Sequence, residues 1–190
     1  MTSEEIARIE ILDISKHKPQ NHARNVWLFS FYLAGMRIAD VLKIKWKDIQ
    51  EGRLYYKMNK NSKVVSLKVS DKLQKIIDQY SSPNLGPDDY IFPELRSVNH
   101  NNAKRMLRST KNATLKFNKH LKKVAEKAAV NKKLTMHIAR HSFGNIAGDK
   151  IHPMMLQKLY RHSDLKTTIN YQANFIHKEA DEALDAVINF

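Results

Sequence analysis

Two histidines, two arginines and one tyrosine stand out, because their spacing lets them act on one phosphate. In Thr135-Met136-His137-Ile138-Ala139-Arg140-His141-Ser142-Phe143 the first His and the Arg are three residues apart. On a helix that spacing puts them on one face. An arginine so placed binds non-bridging phosphate oxygens through its planar fork, while the imidazole hydrogen-bonds or moves a proton. Downstream, Leu159-Tyr160-Arg161-His162-Ser163 is followed by Thr167-Thr168-Ile169-Asn170-Tyr171, with Tyr171 nine residues after His162. Upstream, Ala34-Gly35-Met36-Arg37-Ile38-Ala39-Asp40 sets Arg37 just after a glycine that ends an apolar run. A lone His-x-x-Arg pair, a lone tyrosine or a lone cation is common in a basic chain, so each piece by itself carries little. A phenol of pKa ~10 is a poor nucleophile at neutral pH and needs cations and a base beside it. The sequence offers no carboxylate cluster suited to Mg²⁺ and no Gly-rich nucleotide loop of the Walker type.

The elements that must position these residues read mainly as helices. Thr2-x-x-Glu5 is a capping box, followed by Ile6, Ile9 and Leu12 at helical spacing. A second helix holds the apolar run Val26–Ala34 and ends near Gly35, and a third covers Ile38–Ile44. Residues 52–69 change to β-type runs, Leu54-Tyr55-Tyr56 and Val64-Val65-Ser66-Leu67, which read as a hairpin. Ser70 caps a short helix carrying Leu73, Ile76, Ile77 and Tyr80, and residues 81–89 form a loop. Phe117, Leu121, Val124, Ala125 and Ala128 make one apolar stripe, with Lys116, Lys119, Lys122, Lys123 and Lys127 largely off it. Pro153 suits the first turn of a further helix. Ala180, Ala183, Leu184, Val187 and Ile188 form a last stripe, so the fold class is mainly α with a small antiparallel sheet (α+β).

Composition narrows the partner. The 190 residues fit one domain, and Lys plus Arg number 33 against 19 acids, a formal charge of +14. Charge is segregated: residues 103–133 hold eleven Lys or Arg and one acid, Glu126. A concentrated cationic surface is the footprint of a phosphate-backbone partner. Lys104, Arg105, Arg108, Lys119, Lys122, Lys123 and Arg161 are the candidate DNA-binding residues. Cysteine is absent, which excludes a disulfide scaffold, a cysteine-based zinc finger and a cysteine nucleophile, and fits a reducing, cytoplasmic compartment. The longest apolar run, Val26 to Gly35, is half of the ~20 residues a membrane span requires. The acidic start Met-Thr-Ser-Glu-Glu lacks the order of a signal peptide.

Taken together, the chain resembles the catalytic domain of the tyrosine recombinases, the phage integrase family, over nearly all its length. Gly35-Met36-Arg37-Ile38-Ala39-Asp40-Val41-Leu42 with Lys45-Trp46-Lys47-Asp48-Ile49 looks like that family's first motif. His137-x-x-Arg140-His141-Ser142-Phe143 looks like the second, and Leu159-x-x-His162-Ser163 with Thr167-Thr168-x-x-Tyr171 like the third. The resemblance implies Arg37, His137, Arg140, His162 and the nucleophile Tyr171 as catalytic residues. It implies a further catalytic lysine from the hairpin. Lys57, Lys60 and Lys63 are candidates, of which Lys60 aligns best and Lys63 next. It implies cleavage and rejoining of DNA through a 3′-phosphotyrosyl intermediate, without metal, ATP or other cofactor. Double-stranded DNA is the implied partner, with tetramer assembly of the full-length protein on it, accessory bending or directionality factors, a nucleoid location and a mobile-element origin. Relaxation of supercoils by type IB topoisomerase chemistry, or DNA binding without catalysis, are the alternatives.

The sequence departs from the family in places. Arg161 stands where glycine is usual before His162, Ser142 replaces a common threonine, and the 148–153 connection is about one residue short. His141 and His152 are read as structural or DNA-proximal. The expected organisation is a catalytic domain over 1–177 and a C-terminal helix over 178–190, either exchanged in trans or packed on its own domain. The family's N-terminal core-binding domain is expected to be absent.

Overall fold

The computed structural model describes residues 1–57, 64–148 and 150–160, with residues 57, 64 and 65 described by their backbone alone. Lys60, Lys63, Arg161, His162, Tyr171 and the final apolar stripe lie outside the described residues.

Helix α1 (Ser3–Ile11) starts on the predicted capping box: the Thr2 hydroxyl accepts from the Glu5 N–H and the Glu5 carboxylate accepts from the Thr2 N–H. Ile6 and Ile9 are buried. Helix α2 (Lys18–Tyr32) begins well before the apolar run, because Pro19 pre-sets its first turn. It runs through the centre of the core, with Val26, Trp27 and Phe29 fully buried. Helix α3 is shorter than expected, Ile38–Val41 instead of 38–44. The chain tightens there through Lys43 N–H to Asp40 O and Ile44 N–H to Val41 O. It then turns extended, so that Ile44 O accepts from the Ile91 N–H and Lys45 bridges Tyr90. Pairing with a distant strand-like segment wins over local helix propensity.

The predicted hairpin is formed by β2 (Arg53–Lys57) and β3 (Val64–Lys68), with Tyr55 opposite Ser66. A two-residue strand that the sequence did not signal, β1 (Ile49–Gln50), adds to β2 and completes a three-stranded antiparallel sheet in the order β1-β2-β3. Ser70 caps α4 (Asp71–Asp78) through the Leu73 N–H. Helix α5 (Ala103–Lys127) is longer than its stripe suggested, since Asn102 caps it by accepting from the Arg105 N–H. Its apolar side, Met106 through Ala125, packs across α2. Helices α6 (Met136–Ala147) and α7 (Pro153–Tyr160) follow, with Pro153 in the first position as expected. The architecture is thus mainly helical with one small antiparallel sheet, and no helix among the described residues is long and apolar enough to cross a membrane.

Candidate active site

The site is assembled where the end of α2 meets the middle of α6. After Tyr32 the chain reverses through two consecutive left-handed residues, Ala34 (φ 55°) and Gly35 (φ 66°). Ser30 closes this turn twice: its carbonyl accepts from the Met36 N–H at 3.0 Å and its buried hydroxyl donates to the Met36 carbonyl at 2.6 Å. Arg37 follows directly as the residue before α3, and its carbonyl accepts from the Asp40 and Val41 N–H groups. Its backbone is therefore fixed on both sides, while its side chain is exposed. Among the described residues that side chain makes no hydrogen bond or ion pair.

Gly35, in the turn that follows α2, lies directly against α6. A Cβ added there would lie 2.6 Å from Arg140 Cα, closer than real packing allows, and a tight 3.1 Å from Arg140 Cβ. The glycine is needed both for its positive φ and for this approach. Arg37 lies two positions after Gly35, so the first motif's arginine follows directly on the backbone that touches the second motif's Arg140.

Arg140 is buried, 5% exposed, which is unusual for a cation. Its Nη1 donates to the Gly35 carbonyl at 3.1 Å and its Nη2 to the Tyr160 carbonyl at 2.7 Å. The guanidinium also lies over the Tyr160 ring, 3.8 Å from the centroid. Both carbonyls are neutral acceptors, so they hold the group without cancelling its charge. The Tyr160 hydroxyl donates in return to the Arg140 carbonyl.

His137 lies one turn before Arg140, exposed at the start of α6. That start is held from two directions: Asn118 of α5 accepts from the Met136 N–H at 2.9 Å, and Trp27 of α2 donates its indole N–H to the Thr135 carbonyl at 3.0 Å. The His141 ring meets the His137 ring edge-on at 4.6 Å. Burial of part of its ring, and then the nearby charges of His137 and Arg140, push the His141 imidazole below its ordinary pKa. His141 therefore favours its neutral form.

The structure thus sets His137 one turn before Arg140 on α6, and Arg37 two positions beyond the Gly35–Arg140 contact. The six described candidates for DNA contact, Lys104, Arg105, Arg108, Lys119, Lys122 and Lys123, are all exposed on α5. At ~100° per residue they fall within an arc of roughly 100°, opposite the buried side. Lys122 shares a cleft with Thr135, the residue that opens α6. Sequence reasoning missed Ser30, Asn118 and Tyr160 as supports of the site. The Tyr160 signal was present, since it lies within the third motif, but nothing local linked it to Arg140.

Wider comparisons bear on the family and the fold. The chain belongs to the phage integrase family, whose sequence profile matches residues 1–177. No curated protein sequence matches it. Among solved structures it is similar to XerA recombinase, with a TM-score of 0.62, 18% identity, and coverage of 90% of this chain and 59% of that one. It is similar to a lambda integrase (75–356) dimer bound to a COC′ core site, with a TM-score of 0.60, 16% identity, and coverage of 90% and 58%. It is also similar to XerH site-specific recombinase in a post-cleavage complex with palindromic difH, with a TM-score of 0.64, 18% identity, and coverage of 97% and 52%. The chain spans a little over half the length of these proteins.

Proposed function

We propose that this chain is the catalytic portion of a site-specific DNA recombinase or integrase of a mobile genetic element. What supports this reading above all is the Gly35–Arg140 contact, which sets Arg140 against the backbone two positions before Arg37. Two guanidinium groups drawn from residues more than a hundred apart in sequence suit one doubly liganded anionic oxygen pair. The family membership and the cationic arc on α5 support a DNA partner.

In this mechanism the Tyr171 hydroxyl attacks a backbone phosphorus in line. An O–P bond forms, the bond to the 5′-oxygen breaks, and a 3′-phosphotyrosyl link with a free 5′-hydroxyl results. Arg37 and Arg140 each hold non-bridging oxygens and offset the charge that grows as phosphorus becomes five-coordinate. His137 takes the tyrosine proton, Lys60 gives one to the departing 5′-oxygen, and His162 hydrogen-bonds the phosphate. The energy of the broken diester stays in the phosphotyrosine, so rejoining needs no ATP. Self-association of the full-length protein on DNA, as a tetramer, and a cytoplasmic, nucleoid-bound location belong to the same reading. Residues 178–190 act as a C-terminal helix beside the 1–177 catalytic unit.

The test is covalent capture. The protein is incubated with a pool of nicked suicide duplexes carrying randomised flanks, and adducts are recovered under denaturing conditions and sequenced. The wild type is expected to enrich one family of sites, and Tyr171→Phe to give no adduct while still shifting the same DNA. A wild type that shifts DNA without forming any adduct would make the chain a binding module. An adduct that survives in Tyr171→Phe would place the nucleophile elsewhere.

A further inference from the structure

One residue meets Arg140 in three ways. Tyr160, 2% exposed at the end of α7, offers its ring face to the guanidinium, its carbonyl to Nη2 and its hydroxyl to the Arg140 carbonyl. The Gly35 carbonyl accepts from Nη1. An arginine side chain has several soft torsions, and ordering them during a reaction raises the barrier. The ring sets the plane of the guanidinium, because a flat cation stacks best parallel to a π face. The Tyr160 and Gly35 carbonyls then set its rotation within that plane. A carboxylate in their place would fix the group equally well but would oppose its charge.

We propose that Tyr160 is a positioning residue for Arg140. It orients the guanidinium before substrate arrives, mainly through its ring, and the hydroxyl secures the α6 backbone beneath. The role in turnover rests on the recombinase reading above, whereas the orientation itself does not.

Two arms test it. In the first, protein labelled at arginine is examined by NMR as wild type, Tyr160→Phe and Tyr160→Leu. The ring should shift the Arg140 side-chain protons upfield in the wild type and in Tyr160→Phe, and the shift should vanish in Tyr160→Leu. An unshifted Arg140 in the wild type overturns the proposal, whatever the activity.

The second arm uses thymidine 3′-(4-nitrophenyl phosphate), which needs no DNA site and no acid for its leaving group, and its uncharged methylphosphonate counterpart. Nitrophenolate release and intact-protein mass follow adduct formation. On the phosphate ester, Tyr160→Leu should lose about tenfold or more in maximal rate with little change in half-saturating concentration. Tyr160→Phe should stay within about threefold of wild type, because it keeps the stacking face. On the methylphosphonate the loss in Tyr160→Leu should shrink, since there is less charge for Arg140 to meet. An equal loss on both esters means general structural damage and overturns the positioning role, as does an undiminished rate. If the wild type reacts with neither ester while the ring shift is present, the recombinase reading fails and the orientation of Arg140 by Tyr160 stands.

Discussion

Arg37 and Arg140 carry the same charge and are assigned to the same phosphate, yet the protein holds them by opposite means. Arg37 is exposed, and only its backbone is fixed, through the Ser30–Met36 closure and the first turn of α3. Arg140 is buried and its head group is bonded to two carbonyls and stacked on a ring. On that assignment the exposed arginine would adjust to the phosphate, whereas the buried one would define where it sits. The fixed arginine is also part of the packing, so folding and chemistry are entangled at that position and separable at the other.

The largest expected effect tests this contrast at the buried end. Arg140→Ala should abolish adduct formation, by at least about 10²-fold. It should also lower stability by about 2–4 kcal/mol, read by urea unfolding, because two buried carbonyls and a ring lose their partner. Arg37→Ala should lose adduct formation by a similar factor of about 10² while its unfolding midpoint moves by no more than about 0.5 kcal/mol. Equal destabilisation by the two substitutions would break the comparison.

Gly35→Ala comes next. The left-handed backbone costs a side chain about 1–2 kcal/mol, and the clash with the α6 backbone adds about 1–3 kcal/mol of overpacking. The observable is a lower melting temperature together with loss of adduct, since both arginines are displaced. Ser30→Ala should cost about 1–2 kcal/mol for the buried carbonyl it leaves unpaired. It sharpens the comparison if the loss of rate resembles that of Arg37→Ala more than that of Arg140→Ala.

The smallest effect is in pH. The folded protein resists protonating His141 near the ordinary value of 6.5, whereas the unfolded chain does not. The unfolded state therefore binds more protons, and stability falls as pH drops through that value. His141→Gln should match the wild type above about pH 7 and exceed it slightly below pH 6 in chemical unfolding. His120 is shifted in the same direction by burial and by Lys123 and Lys119, so it supplies a slope that remains in both proteins.

What could be read from the sequence was governed by signals that act within a turn or two. The Thr2–Glu5 box, the Ser70 cap and the α5 stripe all involve residues a few positions apart, and each lies where the letters indicated. The motif resemblance selected Arg37, His137 and Arg140; the last two share α6, and Arg37 follows the turn that touches Arg140. The supports of Arg140 were hidden for a different reason. Its acceptors are carbonyls, which every residue has and no letter marks, and they lie 105 and 20 residues away. The shortening of α3 was hidden likewise, because it depends on pairing of Ile44 and Lys45 with Ile91 and Tyr90.

The 105-residue span closed by the Arg140–Gly35 bond also bears on when the protein becomes able to act. Synthesis delivers Gly35 and Arg37 early, Arg140 late and Tyr160 later still. Long-range contacts of this kind form slowly, because the intervening chain must order first. The cationic helix α5 lies wholly before Arg140 in the chain, so its charge is delivered before the contacts that order Arg140 can form. On the recombinase reading proposed above, the surface that would hold DNA is therefore made ahead of the clamp that would act on it.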